Sequence, residues 1–278
     1  ETIRYLSGAS SDLGAVIALD MVYFYSAFSD THAMSKDATL PLLLHRAFWS
    51  NPQNIRLDQM SDFRWKEVAL TLVKRFPETG VLIGQQIVEN IGNESGIAGG
   101  FYSEVQTVLT EVVRENPKEL WKFVAKGLGP PIDRKAFFLK EWLREEWSPR
   151  ERREGALVLF DPKDIWQWVD GDPEYRAWYF ASFVPPFLFK STERICFARE
   201  LLVRYGDRED VRQNLSANYS TEFYTGPSSA HYSKKKEDLL KFKSEETDGN
   251  VIRWISEYVH ILDERIDRSK MEEERRGF

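Results

Sequence analysis

Apolar side chains recur at intervals of three and four along most of the chain, and no comparable stretch alternates at a period of two. Amphipathic runs of this kind span 63–76, 103–115, 134–147, 193–205 and 232–243. Others are set by Leu120, Phe123 and Val124, by Ile165, Trp168 and Val169, and by Val251, Trp254, Ile255, Tyr258, Ile261 and Leu262. This pattern predicts an all-α chain. The best strand candidate is the short run ALVLF at 156–160, which has no partner of its own kind.

The predicted helices repeat. NPKELWKFV (116–124) is echoed by DPKDIWQWV (161–169), and FPETGVLI (76–83) aligns with the first of these. In the preceding helices Val68, Leu72, Val73 and Lys74 correspond to Val108, Val112, Val113 and Arg114. Anchors at Gly80, Leu120, Ile165, Val211 and Val251 are separated by 40, 45, 46 and 40 residues. Their surroundings suit helix starts. Pro77, Pro117, Pro162 and Pro173 sit where a missing N–H costs nothing. Asn116, Asp161, Asp172, Asp207 and Asp248 offer side-chain oxygens to orphan N–H groups.

Paired helices at this period read as a HEAT-like α–α superhelix, a solenoid of about five to six helical pairs. Residues 1–60 form an N-terminal helical cap, and 61–278 form the repeats, with a loop inserted at 216–233. Asp172 with Arg176, Asp207 with Arg212 and Asp248 with Arg253 resemble the HEAT pattern in which such residues make a ladder between stacked repeats. That resemblance runs over roughly 61–268 and implies architecture rather than activity.

Composition narrows the chemistry. The chain has 278 residues and a net charge of −6, which argues against nonspecific nucleic-acid binding as its main task. The single cysteine, Cys196, excludes an intrachain disulfide, and four scattered His leave little for a metal site. No cofactor or metal is expected. The Gly-rich stretch 92–100 lacks a G-x-G-x-x-G or Walker pattern and reads as a flexible loop. The most apolar run, 13–28, contains Asp20 and is shorter than the roughly 20 residues a span needs, so it reads as a buried core helix. The chain opens on Glu1 rather than Met, as a processed or partial product would, and shows no signal peptide. A cytoplasmic location is expected.

Aromatic residues make up 14% of the chain, including 9 Trp, and most read as packing between repeats. Trp166 and Trp168 are two apart and do not share a helix face, so one of them is a candidate functional, partner-binding aromatic or an inter-repeat one. The polar, aromatic segment 216–233 supplies Tyr219, Phe223, Tyr224, His231 and Tyr232 as further candidates, because loops on rigid scaffolds carry binding functions.

The C-terminal region 200–275 resembles the closing repeats of large bacterial HEAT-repeat proteins that accompany STAND-type NTPase modules in antiviral defence. The matching features are Tyr205–Gly206–Asp207, Gly226–Pro227, Val251, Arg253 and Trp254, and the acidic run Glu272–Glu273–Glu274. The resemblance implies a sensor arm or accessory subunit. This chain has no Walker motif, so any nucleotide-driven switch would belong to another part of such a system.

The expected function is therefore a noncatalytic recognition solenoid or scaffold that binds a protein partner. Two alternatives stand beside it. One is a nucleic-acid-binding solenoid using Arg150, Arg152, Arg153 and Lys234–Lys236. The other is a hydrolase built on Ser228 or Ser229 with His231, although no G-x-S-x-G elbow surrounds them.

Overall fold

The computed structural model describes residues 12–28, 34–45, 48–49, 59–92, 101–130, 132–144, 146–147, 152–153, 155–185, 196–221 and 226–276. These residues form thirteen α-helices: α1 (Asp12–Phe28), α2 (Lys36–Leu43), α3 (Gln59–Arg75), α4 (Gly80–Asn90), α5 (Phe101–Glu115), α6 (Pro117–Gly127), α7 (Arg134–Leu143), α8 (Pro162–Asp170), α9 (Pro173–Ala181), α10 (Phe197–Tyr205), α11 (Glu209–Tyr219), α12 (Ser228–Glu245) and α13 (Gly249–Arg276). The only β pairing among the described residues is a two-residue antiparallel ladder, Glu146–Trp147 with Arg152–Arg153. The strand candidate at 156–160 is instead a 3-10 turn, Ala156–Leu159, in which Ala156 and Leu157 are buried. Its apolar residues enter a core without a neighbouring strand to pair with.

The helix starts follow local chemistry. Pro117, Pro162 and Pro173 are the first residues of α6, α8 and α9. Asp161 accepts from the Lys163 N–H at 2.8 Å, and Asp248 accepts from Asn250 and Val251 at 2.9 and 3.1 Å. Asn116 and Asp172 make no such cap. The Asn116 amide instead donates back to the Val112 carbonyl at 3.3 Å, serving the end of α5 rather than the start of α6.

The chain divides into two compact units, 1–143 with 159–164, and 144–158 with 165–278, and the division falls within α8. In the first unit α3 packs between α1 and α5, while α4 packs on α5 and α6, and α7 on α4 and α6. The buried side chains recur at helical spacing: Trp65, Val68, Ala69 and Leu72 on α3, Ile83 and Ile87 on α4, Val105, Val108, Leu109 and Val112 on α5. The short segment 159–164 belongs to this unit because Phe160 lies 5.0 Å from the Trp121 ring and 6.1 Å from Trp142.

In the second unit α9 packs on α11, α10 packs on α9, α11 and α13, and α12 runs along α13. Pairing of Lys236 with Asp263 and of Ser229 with Glu273 makes that last pair antiparallel. Side chains reach across from one helix to carbonyls of an earlier one. Asn214 donates to Trp178 O, Asn218 to Ala181 O and Val184 O, Trp254 to Arg212 O, and Tyr258 to Tyr219 O. A buried amide or indole that finds such an acceptor avoids the desolvation cost of an unmade bond.

Candidate functional site

The candidate residues fall in separate surroundings. Trp166 and Trp168 are both buried, at 4% and 7% exposed, so neither ring is offered at the surface as a partner-binding aromatic, while a packing role between helices is open to both. Trp166 packs edge-on against Phe180 at 5.5 Å and beside Phe197 at 6.2 Å, under the Arg204 guanidinium at 4.5 Å. Trp168 lies under the Arg176 guanidinium at 5.5 Å.

The arginines of the expected ladder act differently. Arg176 donates to the Trp168 carbonyl at 2.7 Å, and Arg212 to the carbonyls of Gly206 and Asp207 at 2.9 and 3.0 Å. Each guanidinium therefore serves the end of the preceding helix, where orphan carbonyls and the dipole favour a cation. Arg212, 3% exposed, also donates to Glu257 on α13 at 2.8 Å.

Tyr219 was expected in a loop. It is the last residue of α11 and is buried, packed edge-on at 5.4 Å against both Trp254 and Tyr258, which stack on each other at 5.2 Å. The Lys235 ammonium lies 4.3 Å from the Tyr219 ring, 5.5 Å from the Tyr258 ring, and donates to the Tyr219 carbonyl. His231 and Tyr232 are helical, in the first turns of α12, and half-buried. Arg265 of α13 sits 5.7 Å from the Tyr232 ring. The inserted loop is thus shorter than 216–233, because helical spacing continues at both ends. Phe223 and Tyr224 lie outside the described residues.

The candidate nucleophiles are engaged or neutral. The Ser229 hydroxyl donates to Glu273 at 2.6 Å, and its backbone N–H donates to the same carboxylate at 3.0 Å. That hydroxyl holds the Glu273 carboxyl below its usual range, which makes it a weak base. Burial pushes the Cys196 thiol up to about 11, away from the reactive thiolate. Burial, then the hydrogen bond to Asp170, pushes the Tyr205 phenol up to about 12. No group of three or more His, Cys, Asp or Glu is placed to hold a metal among the described residues, and no described helix is long and apolar enough to cross a membrane.

One surface was missed from sequence. Phe24 on α1 and Phe63 on α3 are 48% and 37% exposed. The Tyr23 ring links them, at 5.5 Å from Phe24 and 6.1 Å from Phe63. The Arg64 guanidinium lies 5.3 Å from the Phe24 ring and the Lys66 ammonium 4.8 Å from Phe63. Arg64 pairs with Asp20 and Lys66 with Glu104, both at 2.7 Å, so the cations are held over the rings. Ile17, seven residues before Phe24 on the same helix face, is also exposed. The available signal was that Ile17 and Phe24 lie off the stripe of Ala15, Ala18, Leu19 and Val22 that fills the core. An apolar run that is apolar all round hides which face is left uncovered.

No protein-family model, no curated protein and no solved structure matches the chain.

Proposed function

We propose that the chain is a HEAT-like α-solenoid that recognises a protein partner and catalyses no reaction, acting as a sensor arm or accessory subunit of a bacterial antiviral defence system. Three features support the architecture: the row α1–α3–α5 with α4 and α6 beside it, the antiparallel closing pair α12–α13, and cross-helix bonds at separations of 36 to 42 residues, close to the sequence period. Stacked pairs bury a continuous core and leave helix faces for binding. The defence setting rests on the resemblance of 200–275 to closing repeats of STAND-associated proteins.

The observation that carries the recognition reading is the exposed pair Phe24 and Phe63 with Arg64 and Lys66 over the rings. Aromatic and arginine side chains dominate binding energy at protein interfaces. The alternatives have less support. Lys235 and Lys236 are committed to Tyr219 and Asp263 within the chain, which removes cations from a nucleic-acid surface. The Ser229 hydroxyl donates its hydrogen bond to Glu273, a carboxylate, in place of a general base of the triad kind.

The test is affinity isolation from the host with the full chain, the double variant Phe24→Ala/Phe63→Ala, and Leu240→Ala as an exposed control. A protein retained stoichiometrically by wild type and Leu240→Ala, and lost roughly tenfold or more by the double variant, is the expected result. The same protein retained undiminished by a folded double variant refutes this surface.

A further inference from the structure

The antiparallel pair α12–α13 has two halves of different chemistry. In one half Leu239 and Phe242 of α12 and Val251, Ile255, Tyr258, Leu262 and Ile266 of α13 are buried. In the other half no residue of 228–238 and none of 267–275 is buried. The stripe of α13 that faces its neighbour continues at helical spacing from Leu262 and Ile266 to Ser269 and Glu273, so it turns from apolar to polar. Among the described residues beyond Ile266, no hydrophobic side chain of the helix is buried.

What α12 lacks at its start matches what α13 offers at its end. The N-cap residue of α12 is Pro227, which makes no side-chain cap. Its first N–H groups therefore receive no bond from the N-cap side chain. Glu273 supplies one from 44 residues away, taking the Ser229 N–H on one oxygen at 3.0 Å and the Ser229 hydroxyl on the other at 2.6 Å. A carboxylate is the favoured occupant at the positive end of a helix dipole. The neighbouring Glu272 and Glu274 are exposed.

We propose that residues 267–276 form a detachable strap, closed by the Glu273 carboxylate on the N-terminus of α12 and opened by loss of that carboxylate's contacts. Opening leaves the apolar half of the pair intact, frees the three successive carboxylates Glu272–Glu274, and bares the first N–H groups of α12. The strap does not depend on the function proposed above. It belongs to the class of local openings that cost far less than global unfolding.

Hydrogen exchange on the full chain tests it. Glu273→Ala is expected to speed exchange in 267–276 and in the first amides of α12 roughly tenfold or more, the scale of a lost charged hydrogen bond, with 251–262 unchanged. Ser229→Asp puts a carboxylate on α12 itself and repels Glu273. It is expected to speed 267–276 equally while the amides of 229–232 stay protected. Wild-type exchange of 267–276 in either variant overturns the proposal, and so does a loss of protection that spreads through 251–262, since Glu273 would then be part of the structural core.

Discussion

Between α12 and α13 the Glu246 side chain is almost fully covered, and both of its oxygens are taken. Arg199 of α10 donates its Nε and Nη2 at 2.7 and 2.8 Å, and the backbone N–H groups of Thr247 and Asp248 donate at 2.8 and 3.0 Å. The Arg199 hydrogen bond, with the two backbone donors, holds the Glu246 carboxyl down at about 2. A carboxyl whose folded pKa lies below its unfolded value stabilises the fold above the unfolded value, and that stability is lost as pH falls through the folded one. Glu246→Gln is therefore expected to lower stability by about 2 kcal/mol at neutral pH. The gap between variant and wild type should hold from pH 7 to 5 and narrow between pH 4.5 and 2. Urea midpoints at pH 7, 5 and 3 check this, and a gap that does not change with pH removes Glu246 as its source. Nothing in the sequence marks Glu246 apart from Glu245, since the distinction is made by which of the two meets Arg199, 47 residues earlier.

Helix positions were legible from periodicity, and helix starts from Pro and Asp, because those signals act within one or two turns. The identity of the faces was not. Trp166 and Trp168 look opposed on an isolated helix, yet both are buried, Trp166 against Phe180 and Trp168 under Arg176, and Tyr219 looks like a loop residue in the sequence, whereas α11 carries it into contact with Trp254. Close approaches were equally hidden. A Cβ on Gly84 of α4 would lie 2.6 Å from one methyl of Leu120 on α6 and 3.2 Å from a Val112 methyl. This glycine sets how near α4 lies to α6. Gly84→Val is expected to destabilise the protein by roughly 2 kcal/mol through overpacking. Leu120→Ala alone leaves a cavity and costs about 2–4 kcal/mol. In the double variant the new side chain fills part of that cavity, so the two losses should fall short of additive by about 1 kcal/mol or more. Denaturant unfolding of the four proteins closes the cycle, and simple additivity would mean that Gly84 and Leu120 do not meet.

Over the whole molecule, 38 basic and 44 acidic residues give a net charge of −6, and among the described residues several of the cations are matched. Lys36 pairs with Glu78, Arg64 with Asp20, Lys66 with Glu104, Arg204 with Asp170 and Lys236 with Asp263. The more exposed of these pairs, such as Lys36 with Glu78, contribute little stability. They do lower the density of free positive charge, which is the quantity a phosphate backbone responds to. The helical spacing was readable because it is set within one helix, but the balance of paired and unpaired charge was not, since runs such as Lys234–Lys236 look basic until their partners are placed. A chain with this balance is expected to show no saturable binding to a labelled duplex or single strand at physiological salt, with a dissociation constant weaker than about 100 μM. Fluorescence anisotropy across a salt series measures it. Binding tighter than that, weakening steeply as salt rises, would mean that the matched cations open toward nucleic acid, and it would displace protein recognition as the reading of this molecule.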